Sequence, residues 1–140
     1  MSIQFTVPLA KIISAMKLEV AYMPASESEV LISSADINRP GLPLTGFFEH
    51  FDNQRVQLIG KSEMAYLNQL TAEQEEQVME RYMAANPVAV IQTRGNQPSA
   101  IMLDKAQKYG VPLLITDAPT TSFAAYIAFF SNEIQELNDK

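Results

Sequence analysis

The sequence predicts an α/β fold: a single layered domain whose mostly parallel sheet is flanked by helices. Three observations predict it. The C-terminal half alternates strand, helix, strand, helix, an order that implies parallel strands joined by right-handed crossovers. A length of 140 residues suits one domain of ordinary size, able to bury about two thirds of its unfolded surface. Hydrophobic residues make up 47% and charged residues 19%, a globular balance, with no repeat, low-complexity run or internal linker.

The elements follow in order. Thr6 and Pro8 open a stretch with Leu9, Ile12, Ile13 and Met16 on one helical face, with Thr6 as cap and Pro8 in the first turn. Leu18, Val20 and Tyr22 alternate as in a strand. Residues 23–29 read as a turn or hairpin loop, and Val30 to Ile32 restarts a strand. Asn38-Arg39-Pro40-Gly41 is a tight turn in which Pro40 fixes φ and Gly41 is free to take φ > 0. Leu42 to Phe51 is apolar and fits helix or strand. Arg55 to Gly60 alternates as a strand. Ser62 is placed to cap a helix carrying Met64, Leu67 and Leu70. Thr71 with Gln74 forms a capping box that opens a polar helix ending near Asn86-Pro87. Val88 to Ile91 is a buried strand, Pro98 to Tyr109 a helix with Gly110 at its C′ position, and Val111 to Ile115 a further strand. Thr120 or Thr121 caps a last helix whose Phe123, Ile127, Phe130, Ile134 and Leu137 are spaced 4, 3, 4, 3. Residues 1–130 are expected to form the domain, and residues 131–140 the end of that helix and a polar linker.

Composition excludes several classes. The chain has no Cys, which removes a disulfide scaffold, a thiolate zinc site and a Cys nucleophile and fits a reducing cytoplasm. The one His, His50, leaves no metal site built on several imidazoles. A net charge of −6, with no long Lys/Arg cluster, argues against nucleic acid as partner. The longest apolar run, Phe123 to Phe130, falls far short of the ~18 residues that span a bilayer, so no membrane partner is expected. The N-terminus lacks a signal-peptide pattern.

Candidate chemistry is sparse. Gly60-Lys61-Ser62 follows a strand and precedes a helix, the place of a phosphate loop. The full loop needs G-x-x-x-x-G-K-[ST], whose extra residues supply the wrapping N–H groups, and the first Gly position here is Arg55. The segment reads as a strand end, a lysine and a helix cap; an anion at this helix N-terminus stays open. His50, between Glu49 and Asp52, reads as half-exposed beside the aromatic cluster Phe47, Phe48 and Phe51 rather than as a metal ligand. That cluster is read as core, with a docking patch as the alternative. Glu73, Glu75, Glu76 and Glu80 read as a solvated helix face, and Asp104 with Lys108 as an i, i+4 pair. No serine lies in a nucleophile elbow. At Ser33 to Gly41, a strand runs into a turn holding Asp36 and Arg39, which either pair with each other or offer Arg39 as a fork-shaped anion donor. The residues alone thus give an α/β domain without a self-sufficient active site.

The run SSADINRPGLPLTGFFEHFDNQRVQLIGKSEMAYL, residues 33–67, resembles the N-terminal domain of bacterial HPr kinase/phosphorylase. Asp36-Ile, Arg39-Pro-Gly-Leu, Leu44-Thr-Gly-Phe-Phe, Arg55-Val-Gln-Leu, Gly60, Glu63 and Tyr66-Leu carry the likeness, with Arg94-Gly95, Gly110-Val-Pro-Leu-Leu and Thr120-Thr-Ser farther on. The resemblance implies cytoplasmic, homo-oligomeric parent enzymes that use ATP and Mg²⁺ to phosphorylate a serine of the phosphocarrier HPr, and that also remove the phosphate, in carbon catabolite control. It implies that this chemistry sits in a C-terminal domain with a Walker A loop. No complete phosphate loop occurs in this chain, so no catalytic residue and no cofactor carries over, and a regulatory or assembly role is expected. That N-terminal domain in turn resembles the nucleotide-binding domain of the Mur ligases. On that analogy Ser34, Asp36, Arg39 and Lys61 are the candidate ligand contacts. A stand-alone small-molecule module and a protein-interaction domain are the alternatives.

Overall fold

Helix and strand signals alternate along the chain, and the structure keeps their order. A computed structural model describes residues 7–25, 29–33 and 37–119. β1 (Val7–Pro8) runs into α1 (Leu9–Met16), then β2 (Glu19–Tyr22), β3 (Leu31–Ile32), β4 (Ile37–Asn38), α2 (Gly41–Leu44), β5 (Val56–Ile59), α3 (Lys61–Leu67), α4 (Ala72–Ala84), β6 (Val90–Gln92), α5 (Ala100–Tyr109) and β7 (Leu113–Ile115). The expected last helix, from Thr120 or Thr121, and the linker after residue 130 lie outside the described residues.

Five strands form the main sheet in the order β2-β7-β6-β5-β4. β4 to β7 are parallel, with Ile37 beside Val56, Gln57 beside Val90 and Val90 beside Leu113. β2 closes one edge antiparallel to β7, with an irregular register between Val20 and Tyr22. Such an irregularity twists an edge strand and discourages further pairing. β1 and β3 pair in a separate two-stranded sheet. β2 and β3 are therefore not a hairpin: each finds its partner far along the chain, a pairing that a local turn signal does not encode.

Side chains alternate across the sheet and define its two faces. Val56, Leu58, Ile91 and Leu114 meet Leu9, Ile12 and Ile13 of α1 and Ile32 of β3. Ile59, Val90 and Leu113 face the other way, against Met79, Tyr82 and Met83 of α4 and Met102 and Ala106 of α5. Both faces of the parallel strands are covered, as such strands require.

Several local readings shift. Pro8 is the N-cap of α1 and not part of its first turn. Gly41 opens α2 and has no positive φ. The ambiguous stretch after Gly41 is a single helical turn, α2, followed by turns. Gly60, not Ser62, caps α3, and Ser62 is an exposed residue inside the helix. Arg55 precedes β5 instead of starting it. Ser99 caps α5 through its Oγ, which accepts from the Met102 N–H at 3.1 Å, and Gly110 ends it with φ 68°.

The capping box of α4 is formed as the spacing predicts. Thr71 Oγ1 accepts the Gln74 N–H at 3.1 Å, and Gln74 Oε1 accepts the Thr71 N–H at 2.9 Å. Thr71→Ala is expected to cost about 1 kcal/mol, read as a lower urea midpoint at unchanged slope.

Candidate functional site

Ligands of open α/β sheets bind beyond the carboxyl ends of the parallel strands. Here those ends present Arg39 after β4, Gly60 and Lys61 after β5, Thr93 to Asn96 after β6 and Thr116 to Ala118 after β7. The β4 end is fixed by its own backbone. Pro40 sits at φ −84°, ψ 39°, and the Gly41 N–H donates to Arg39 O at 2.9 Å. The chain reverses in three residues, as in an inverse γ-turn, and the Arg39 side chain turns toward α3.

Arg39 Nε and Nη2 both donate to Glu63 Oε1, at 3.1 and 2.8 Å. The same oxygen accepts the Gly60 N–H at 2.7 Å. Glu63 is 7% exposed, and a buried carboxylate is tolerated only when it is paired and hydrogen-bonded. One oxygen thus ties the ends of β4 and β5 to the first turn of α3. Arg39 binds Glu63; Asp36 and Ser34 lie outside the described residues. Lys61, exposed, opens α3 at the same corner. Of the proposed ligand contacts, the structure places Arg39 and Lys61 at one edge of the sheet.

This geometry decides the fate of the Gly60-Lys61-Ser62 segment. The turn between β5 and α3 is the single residue Gly60, whose N–H is already taken by Glu63. A carboxylate stands where a phosphate would have to approach, and the single-residue turn offers no longer loop to wrap it. The next turn is likewise committed. Arg94 and Gly95 have φ of 60° and 69°, the Asn96 N–H donates to Thr93 O, the Arg94 N–H to Ala118 O and the Gly95 N–H to Thr116 O. A Cβ added at Gly95 would lie 3.0 Å from Asp117 Oδ1, so glycine serves both the positive φ and the close approach.

Behind this edge lies a buried polar network. Gln57 Oε1 accepts from Asn38 Nδ2 at 2.8 Å and from the Tyr82 hydroxyl at 3.2 Å, while Gln57 Nε2 donates to Arg55 O at 2.8 Å. Burial, and secondarily the charge of Glu63, pushes the Tyr82 phenol well above its usual range. Phe51 packs edge-on against Phe48 and tilts against Tyr82. The aromatic cluster is split: Phe48 and Phe51 join the core, and Phe47 is 46% exposed. His50 is exposed rather than half-exposed. Its neighbour Asp52 accepts the Gln54 N–H at 3.0 Å and pairs with Arg55 at 3.5 Å, so it serves the turn.

The acidic face of α4 is not uniformly solvated. Glu80 gathers Lys108 at 2.6 Å, Lys105 at 2.9 Å and the Tyr109 hydroxyl. Lys108 therefore binds across to α4 instead of pairing with Asp104. Glu75 Oε2 accepts the Ser99 hydroxyl at 2.9 Å. These contacts dock α5 on α4. Bonds from Lys108, then Tyr109, then Lys105 hold the Glu80 carboxyl at about 2 against an ordinary 4.5. A depressed carboxyl stabilises the fold fully above its unfolded value, and that contribution is lost as pH falls through the folded one. Denaturation at pH 7, 4, 3 and 2 is expected to show wild-type stability falling below pH 4.5 with a component that Glu80→Gln lacks; parallel curves would contradict this.

Sequence reasoning missed Glu63 and Gln57. Glu63 had a signal, because a Glu three residues after a helix-capping position returns to the capping backbone. Gln57 had none, since its partners are Asn38 and Tyr82, 19 and 25 residues away.

Among the described residues no helix is long and apolar enough to cross a membrane. Similarity to known proteins bears on this corner and on the whole chain. An HPr kinase/phosphorylase of Caldicellulosiruptor bescii is 42% identical over 126 residues, covering 90% of this chain and 40% of the relative. One from Leptospira biflexa is 41% identical over 97 residues, covering 69% of this chain and 30% of the relative. The chain thus spans less than half the length of these relatives. The CBS and DRTGG domains of the regulatory region of Clostridium perfringens pyrophosphatase, solved with the activator diadenosine tetraphosphate, align with a TM-score of 0.58 at 14% identity, over 86% of this chain and 45% of that one. At that identity the likeness is one of fold. The family model described as HPr Serine kinase N terminus matches residues 7–130, and the chain belongs to that family.

Proposed function

We propose that this chain is a non-catalytic regulatory and assembly domain of an HPr serine kinase/phosphorylase. In this reading the phosphate transfer to and from HPr, with its ATP and Mg²⁺, belongs to the part of the parent enzyme that the chain does not span. The observation that carries it is the Gly60 amide. It is bonded at 2.7 Å to the Glu63 carboxylate, at the one strand-to-helix turn whose sequence suggests a phosphate loop. Phosphoryl transfer needs amides and cations gathered around phosphate oxygens, and this corner instead holds an internal acid matched by Arg39. What remains is a well-packed α/β layer, suited to contacts with the rest of an enzyme.

Removing from the Caldicellulosiruptor bescii relative the segment that matches residues 7–130 tests this. The remainder is expected to keep phosphate transfer to HPr while its oligomeric state or its response to effectors changes, and fusing this chain in place of the segment restores the original behaviour. Unchanged assembly and unchanged regulation after the deletion would overturn the proposal.

A further inference from the structure

Beside the Arg39–Glu63 pair lies a cavity of about 190 Å³, with apolar walls from Leu42, Phe47 and Phe51, His50 among its lining, and a polar side from Asn38 and Arg39. Its size suits one ring with a small substituent, since an apolar cavity of about 150 Å³ takes benzene. Its place, at the carboxyl end of β4, is where α/β sheets bind ligands.

The polar side is held from behind. The Arg55 carbonyl only accepts, so the Gln57 amide must turn Nε2 toward it and Oε1 toward Asn38. Asn38 therefore gives Nδ2 to Gln57, and its carbonyl Oδ1 has no partner among the described residues. Arg39 commits Nε and Nη2 to Glu63 and keeps the Nη1 donors. Both residues line the cavity, one with an acceptor and one with donors uncommitted, and each is oriented by bonds it makes elsewhere. The Arg39 charge is matched by Glu63, so an anionic head gains little here, whereas a neutral head with a carbonyl next to an N–H satisfies both groups.

We infer that this cavity binds a small uncharged ring compound with an amide edge, its carbonyl received by Arg39 and its N–H by Asn38, its ring against Phe47 and Phe51. The inference does not depend on the proposed regulatory role.

Benzamide, benzoate and toluene, titrated into the ¹⁵N-labelled 140-residue chain, separate the possibilities. Benzamide is expected to give saturable shifts centred on the amides of Asn38, Arg39, Phe47 and Phe51, with benzoate and toluene each about tenfold weaker. Phe47→Ala is expected to weaken benzamide about fivefold while the melting temperature holds, because this side chain is partly exposed. Absence of saturable shifts overturns the inference. So does benzoate binding more tightly than benzamide, toluene binding equally well, or an intact Phe47→Ala variant that binds as wild type.

Discussion

Glu63→Ala is expected to lower stability by about 2–4 kcal/mol, a large part of what holds a domain of this size folded. The buried carboxylate does two jobs through one oxygen: it accepts the Gly60 N–H and it holds the Arg39 fork. Its removal leaves the buried Gly60 amide without an acceptor. It also frees Arg39, whose side chain is 42% exposed and recovers much of its solvation in water, so the larger share belongs to the amide. Arg39→Ala leaves the Glu63 carboxylate buried with the Gly60 N–H but without its cation, so its cost should be comparable, about 2–4 kcal/mol. The double variant should lose less than the sum, because both changes break the same contact. Urea denaturation of the four proteins measures this. A loss below about 0.5 kcal/mol for Glu63→Ala would show that the corner is not held as described.

Tyr82→Ala is expected to cost about 3–5 kcal/mol, and Tyr82→Phe about 1 kcal/mol. Tyr82 is fully buried among the side chains of α4 and α5, and its ring touches Phe51. Truncation to Ala opens a cavity at the centre of that layer and removes a donor from Gln57. The Phe variant keeps the ring and loses only the 3.2 Å bond to Gln57 Oε1, which retains Asn38 as a donor. The gap between the two variants separates packing from polar satisfaction. Equal losses would mean that the hydrogen bond, not the ring, holds the layer.

The two halves of the chain were unequally legible. From Thr71 to Ile115 each element announced itself: a capping box, a Ser cap, a Gly110 C′ residue and β-branched runs are all local signals, and these elements stand within a few residues of expectation. Before residue 60 the structure depends on distant pairing. β2 joins β7, and β3 joins β1; short strands of two to four residues carry too little pattern to name a partner. The site divides in the same way. Arg39 and Lys61 were found from turn chemistry and strand ends, and they do share an edge. The Arg39–Glu63 contact was not legible, because sequence distance points to the near acid, while folding brings the β4 end beside β5 and gives Arg39 a partner 24 residues away. The Glu80 cluster was hidden for a related reason. Its cations sit 25 and 28 positions away on α5, so its helix looked like an ordinary charged face.

The most direct measurement is phosphate transfer by the chain itself. Purified 140-residue protein, incubated with HPr, labelled ATP and Mg²⁺, is predicted to leave HPr unlabelled under conditions in which the Caldicellulosiruptor bescii relative labels it fully. Appearance of phosphoserine on HPr, lost again on heat-unfolding the chain, would contradict a non-catalytic role and would place a phosphate site where the Glu63 carboxylate now closes the turn.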